Sequence, residues 1–244
     1  MTRMRLGLAL GLVVALGAAP TIAIAQETTT TETTVVDRHR PLAELKERAQ
    51  NLIDHQQAVL DRLAAAIELS RFITEGHAGR LHGDISGLEA ELEQISRQVE
   101  DATTLDEVWA LIREVHGLHI GEVTAPKTHQ VIASDTLVAI GGKLNRFADR
   151  LENLLERAAE AGYDVGAGWD LLEEMERLIG AGIDLADPVA ESVIGLDGDD
   201  WPDPAQDLLA AGRRDLRAAG ADLRTAYGKG REIVEILRSL NDEA

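Results

Sequence analysis

Residues 81–99 run Leu81-His82-Gly83-Asp84-Ile85-Ser86-Gly87-Leu88-Glu89-Ala90-Glu91-Leu92-Glu93-Gln94-Ile95-Ser96-Arg97-Gln98-Val99. Leu81, Ile85, Leu88, Leu92, Ile95 and Val99 return at strictly alternating steps of four and three. A helix turns about once every 3.6 residues, so this spacing lines all six along one face. The pattern extends both ways. Upstream, Leu42, Leu45, Ala49, Leu52, Val59, Leu63 and Ala66, with Ile53, Leu60 and Ile67 beside them, keep it apart from a break at Gln56. They predict a helix from near Pro41, a favourable first helical residue, to about Ile73, with a turn at Thr74-Glu75-Gly76. Downstream, Thr104-Leu105-Asp106-Glu107 matches the capping box, in which Thr and Glu each satisfy a backbone donor freed at the helix start. The helix it opens carries Leu105, Val108, Trp109, Ile112 and Val115.

Gly117, Gly121 and Pro126 predict a break over residues 117–126. A long fourth helix follows, with Leu137, Ile140, Leu144, Phe147, Leu151, Leu154 and Ala158 in register. Gly141 and Gly142 inside it each cost about 1 kcal/mol relative to Ala, which points to close packing there. Gly162 suits its C-terminal cap and Asp164 the start of the next helix. That fifth helix uses Leu171, Met175, Leu178 and Leu185 and should kink or stop before Pro188. A plain loop is expected over residues 195–203. The last helix, from about Pro204 to Leu240, carries Leu209, Gly212, Leu216, Ala219, Leu223, Ala226, Gly230, Ile233, Leu237 and Leu240. Its small residues would let a neighbour approach closely. No useful length alternates with the period of two that a strand needs. The expected fold is all-α: an elongated antiparallel helical bundle with coiled-coil-like long helices over residues 41–240. Residues 241–244 read as a disordered tail.

Arg3 and Arg5, the apolar run Leu6 to Ala19 and the small residues of Ala23-Ile24-Ala25 read as a signal peptide over residues 1–25, cleaved after Ala25. The run is well short of the ~20 residues that span a bilayer, and none of that length follows, so no transmembrane span is expected in the mature form. Residues 26–40 open on the Thr-rich Gln26-to-Val36 segment and read as a flexible linker. The chain has no cysteine, which excludes disulfides and a lipid-modified cysteine. The C-terminal Ser239-Leu240-Asn241-Asp242-Glu243-Ala244 carries no hydrophobic tail or sorting signal, so a released product, or one held at the surface by non-covalent contacts, is expected. Cleavage removes two arginines and no acid, so the formal charge moves from −19 to −21. Such a balance opposes nucleic-acid binding, which needs clustered Lys and Arg, and disfavours anionic membranes. Aromatic content is 3%, so packing rests on Leu, Ile, Val and Ala.

Candidate chemistry is sparse. All seven histidines fall between His39 and His129, and His77, His82, His116, His119 and His129 form a set that hairpins could bring together around zinc or copper. Against this, there is no His-Glu-x-x-His and no carboxylate-x-x-His pair of the di-iron type. Asp197, Asp199, Asp200 and Asp203 form an acidic loop with calcium-like spacing, but Trp201 takes the third ligand position and Leu208 the twelfth. No metal, cofactor or catalytic residue is therefore assigned. No Gly-x-Ser-x-Gly elbow, cysteine nucleophile or phosphate-cradling glycine loop is present. Trp109 lies on an apolar helix face and is expected in the core; Trp169 and Trp201 are placed for partial exposure.

Asp84-Ile85-Ser86-Gly87-Leu88, Ala125-Pro126-Lys127-Thr128-His129, Arg150-Leu151 leading to Ala161-Gly162-Tyr163-Asp164-Val165, and Ala221-Asp222-Leu223-Arg224 together span most of residues 41–240. In these segments the chain resembles a family of uncharacterised exported all-helical proteins of high-GC Gram-positive bacteria. The resemblance implies a secreted helical domain and no established activity, so no functional residue carries over. The expected function is that of a non-enzymatic protein of the cell envelope or medium, working through protein contacts or self-association of helix faces. The alternative is an extracytoplasmic module binding a small ligand or a metal.

Overall fold

The computed structural model describes residues 42–242, and among them every regular element is helical. The expected signal peptide and linker, over residues 1–40, lie outside the described residues, as do Pro41 and the last two residues. Six α-helices follow one another: α1 Leu42–Leu69, α2 Glu75–Asp101, α3 Leu105–Gly117, α4 Ala125–Glu160, α5 Gly166–Val193 and α6 Ala205–Asp242. α1, α2 and α3 pack on one another, as do α4, α5 and α6, and α1 also meets α4.

Two apolar clusters result. The first gathers Leu45, Ile53, Leu60 and Ile67 of α1, Leu81, Ile85, Leu92 and Ile95 of α2, and Val108, Ile112 and Val115 of α3. Val131, Ala190, Val193, Ala205 and Leu209 reach it from the other helices. The second gathers Leu144, Leu151 and Leu155 of α4, Leu172, Met175 and Ile179 of α5, and Leu223, Ala226 and Ile233 of α6. Burying each Leu or Ile stabilises the fold by about 1.5–3 kcal/mol relative to leaving it exposed.

The spacing of residues 81–99 settles as expected: Leu81, Ile85, Leu92, Ile95 and Val99 are buried and Leu88 half-buried. α6 follows its expected stripe too, with Leu209, Gly212, Ala219, Leu223, Ala226, Gly230 and Ile233 buried. Thr104 caps α3 through the full capping box. Gly162, at φ 88°, ends α4 in the left-handed region that glycine adopts without strain.

Several expectations are corrected. α1 ends at Leu69 rather than Ile73, and Thr74 is the N-cap of α2, so Gly76 belongs to a helix instead of a turn. In α1 the buried line is Leu45, Ala49, Ile53, Leu60, Leu63 and Ile67, one step around from Leu52, Val59 and Ala66. The break after α3 is only Leu118 and His119; residues 120–124 form a π-helical turn running straight into α4. Asp164 caps by accepting from Gly166 N at 3.1 Å, while Val165 takes the N-cap position. α5 does not stop before Pro188 but runs on to Val193. Pro188 and Asp184, whose carbonyl loses its partner, are both on the exposed side, where water can replace the missing bond. Residues 198–200 form a 3₁₀ turn, not plain loop. α6 continues through Asn241 and Asp242, two residues into the expected tail.

Candidate functional site

The densest polar chemistry lies on the first half of α4. Stepping back from Leu155 in alternating fours and threes gives Leu151, Ala148, Leu144, Gly141, Leu137, Ser134, Gln130 and Lys127. One stripe therefore runs the length of the helix, apolar in its second half and polar in its first. Lys127, Thr128, Gln130, Ser134 and Asp135 are all buried, the lysine to 2% exposure.

Buried polar groups need partners, and these find them on different elements. Lys127 Nζ donates to Asp84 Oδ2 of α2 at 2.6 Å and to the Leu196 carbonyl beyond α5 at 2.7 Å. Gln130 Nε2 donates to the Leu209 carbonyl of α6 at 2.9 Å. Ser134 Oγ donates to the Ala186 carbonyl of α5 at 2.8 Å. Gln130 Oε1 has no hydrogen-bond partner and rests where a Cβ on Gly212 would stand, so glycine there gives the amide its room. Thr128 bonds back to the Thr124 carbonyl at 2.8 Å within its own chain segment.

Asp135 reaches the link between α1 and α2. Its Oδ2 accepts from Thr74 N at 2.7 Å, and Thr74 Oγ1 in turn accepts from His77 N at 3.2 Å. Lys143, two turns along α4, sits 4.0 Å over the ring of Phe72 in the same link. His77 joins three helices: Nδ1 is 2.9 Å from Asp135 Oδ2, and Nε2 is 3.1 Å from Glu191 Oε1 of α5. Burial pushes this imidazole down, but the hydrogen bonds and charges of Asp135 and Glu191 outweigh it and hold the group above its ordinary 6.5. An imidazole backed by a carboxylate is the arrangement a general base uses. Here the second nitrogen faces another carboxylate, that of Glu191, at 3.1 Å.

The other residues singled out by sequence lie apart from this junction. His82 Nε2 pairs with Glu68 of α1 at 3.1 Å. His116 and His129 are exposed. His119 adopts a left-handed φ of 46°, and its ring lies 5.9 Å from that of Trp201. Of the five histidines considered together for a metal, only His77 reaches the buried polar segment. Among the described residues no three His, Asp or Glu side chains are arranged to hold a metal ion. In the acidic loop, Asp197 accepts from Asp199 N at 2.9 Å and Asp200 accepts from Asp197 N at 3.0 Å. Those carboxylates cap their own turn. Trp109 and Trp201 are half-buried against the first cluster and Trp169 against the second.

The chain matches no protein-family model, no curated protein and no solved structure. Among the described residues, no helix is long and apolar enough to cross a membrane. A shallow polar groove between α1 and α2 is lined by Gln57, Asp61, Ser86, Glu89, Ala90 and Glu93.

Sequence reading missed Lys127, Gln130, Ser134, Asp135 and Glu191. The signal was there for the first three, since they continue the stripe of Leu144, Leu151 and Leu155 without a break in spacing. A stripe traced by apolar residues alone passes over them.

Proposed function

We propose that this is a non-enzymatic extracytoplasmic protein, exported with cleavage after Ala25, that works through contacts of its helix faces with protein partners or further copies of itself. The observation that carries the reading is the direction of its polar chemistry. Lys127, Gln130, Ser134, Asp135 and His77 are turned onto other helices as internal ties, which leaves an acidic outer surface to meet partners. Among the described residues the exposed large apolar side chains are Leu69 and Tyr163, so the contacts would be polar and charge-steered rather than greasy. The arrangement proposed is an elongated antiparallel bundle. The lengths of α4 and α6, 36 and 38 residues, support it, corresponding to about 54 and 57 Å of helix.

Light scattering on the purified chain and crosslinking on intact cells at low and high salt test the proposal. It expects a salt-sensitive oligomer or a crosslinked partner, because exposed charges more than about 10 Å apart are largely screened at 0.1 M salt. A strict monomer with no crosslinked partner would overturn it. N-terminal sequencing of protein recovered outside the cytoplasm tests the export step, with Gln26 expected first. A melting temperature raised by metals or envelope sugars would instead favour the ligand-binding alternative.

A further inference from the structure

Both ring nitrogens of His77 face carboxylates. Nδ1 lies 2.9 Å from Asp135 Oδ2 and 3.0 Å from Oδ1; Nε2 lies 3.1 Å from Glu191 Oε1. A carboxylate only accepts, so both contacts are hydrogen bonds only when the ring carries two protons. The two acceptors are not equivalent. The Asp135 side chain is 8% exposed and also takes the Thr74 N–H, whereas that of Glu191 is 69% exposed and has Arg80 Nη1 at 3.6 Å as a second partner. When one proton goes to solvent, a single N–H remains for two acceptors. Asp135 cannot turn to water and Glu191 can, so the remaining proton stays on Nδ1. The bare lone pair of Nε2 then repels the glutamate.

We infer that His77 is a pH-operated clasp between α2 and α5, closed as the imidazolium and opened by loss of the Nε2 proton, while its Nδ1 bond to α4 persists in both states. The charged groups around the ring are Asp135 from α4, Glu191 from α5 and, on α2 itself, Arg80 acting through Glu191. On α1, Glu68 pairs with His82 rather than His77. The direction of the pH effect follows from the imidazole being held above its ordinary 6.5 by Asp135 and Glu191, against the opposing effect of burial. The stabilisation is fully present below about pH 6.5 and is lost as pH rises through the folded-state value.

The test is ¹⁵N NMR of histidine-labelled full chain between about pH 5.5 and pH 9.5, with Tm followed in parallel. His77 should titrate above 6.5 and give the Nδ1–H tautomer past its midpoint. Glu191→Gln should lower that midpoint and leave the tautomer unchanged, a response that a purely structural histidine would not show. Between about pH 6 and pH 9, the parent should lose roughly 2–4 °C of Tm relative to His77→Gln. A midpoint at or below 6.5 in the parent, an Nε2–H tautomer at high pH, or a midpoint unmoved by Glu191→Gln would each overturn the clasp. The parent titration decides the matter even where a variant fails to fold.

Discussion

The two apolar clusters are packed by different means. In the first, α1, α2 and α3 meet through long and branched side chains such as Leu60, Leu81, Leu92 and Val108, while Gly79, Gly83 and Gly87 of α2 have nothing within 4 Å of where a Cβ would stand. In the second, α4, α5 and α6 bring their backbones close. A Cβ on Gly182 would lie 2.8 Å from Leu223 Cγ and 3.2 Å from the Ala219 carbonyl, and one on Gly230 would lie 2.6 Å from Phe147 Cε1. At Gly182 and Gly230 glycine is required, whereas in α2, as at Gly180 and Gly228, it is idle. What separates them is whether a second helix passes at contact distance, which composition alone does not reveal. Between the two lies the polar half of α4, tied to the first region through Asp84, Thr74 and His77 and to α5 and α6 through Ser134 and Gln130.

Asp135→Ala should have the largest effect, because it strikes the tie between the regions. It removes the acceptor for both Thr74 N–H and His77 Nδ1–H in a buried place. Breaking a buried pair from one side costs about 3 kcal/mol or more, readable as a drop in the urea midpoint. A loss under about 1 kcal/mol, the ceiling typical of exposed pairs, would mean the junction is solvated and the regions are held by apolar contact alone.

Gly182→Ala comes next and tests the close approach directly. Its new methyl would press on Leu223 and on a backbone carbonyl that cannot rotate away. A loss of about 2 kcal/mol is expected from such overpacking, again by urea unfolding. A stabilised variant would show that α5 and α6 have room to separate, and the contrast between the two regions would fail.

How much of this was legible depended on where a residue's partners sit. The helices themselves, the α6 stripe and the capping box depend on neighbours within one or two turns, so spacing revealed them. Choosing between Leu52, Val59 and Ala66 or Ile53, Leu60 and Ile67 in α1 requires knowing where α2 and α3 lie, and both lines are apolar. The expected stop before Pro188 does not occur: the proline removes one helix hydrogen bond, and the Asp184 carbonyl it frees lies on the side of α5 that faces water. His77 was noticed, but for the wrong company: its partners are 58 and 114 residues away and are carboxylates, not other histidines. Nothing local to residue 77 encodes either of them.

The first region also has a capping box at its entry to α3. Thr104→Ala removes the acceptor for Glu107 N and should cost about 1 kcal/mol. The partner carboxylate accepts from the backbone N–H groups of Thr103 and Thr104, which holds Glu107 below its usual 4.5. A depressed acid stabilises above its unfolded value and loses that contribution as pH falls through the lower folded value. Part of the acid sensitivity below about pH 4.5 should therefore vanish in Glu107→Gln, measured as a flatter decline of Tm with falling pH. An unchanged acid limb would mean that the box contributes only geometry.

The smallest effect is the sharpest on the comparison, because its sign is opposite. Gly87 sits in the interior of α2, on the exposed side, with open space around its missing Cβ. Alanine there meets no neighbour and removes backbone freedom that the unfolded chain enjoys. Gly87→Ala should stabilise by about 0.7 kcal/mol, seen as a higher urea midpoint with an unchanged slope. The measurement is informative beside Gly182→Ala: both add one methyl to a helical glycine, and only the proximity of another helix differs. If Gly87→Ala destabilises as Gly182→Ala does, the exposed face of α2 is covered by something at contact distance. The acidic surface proposed to meet partners would then be occupied already.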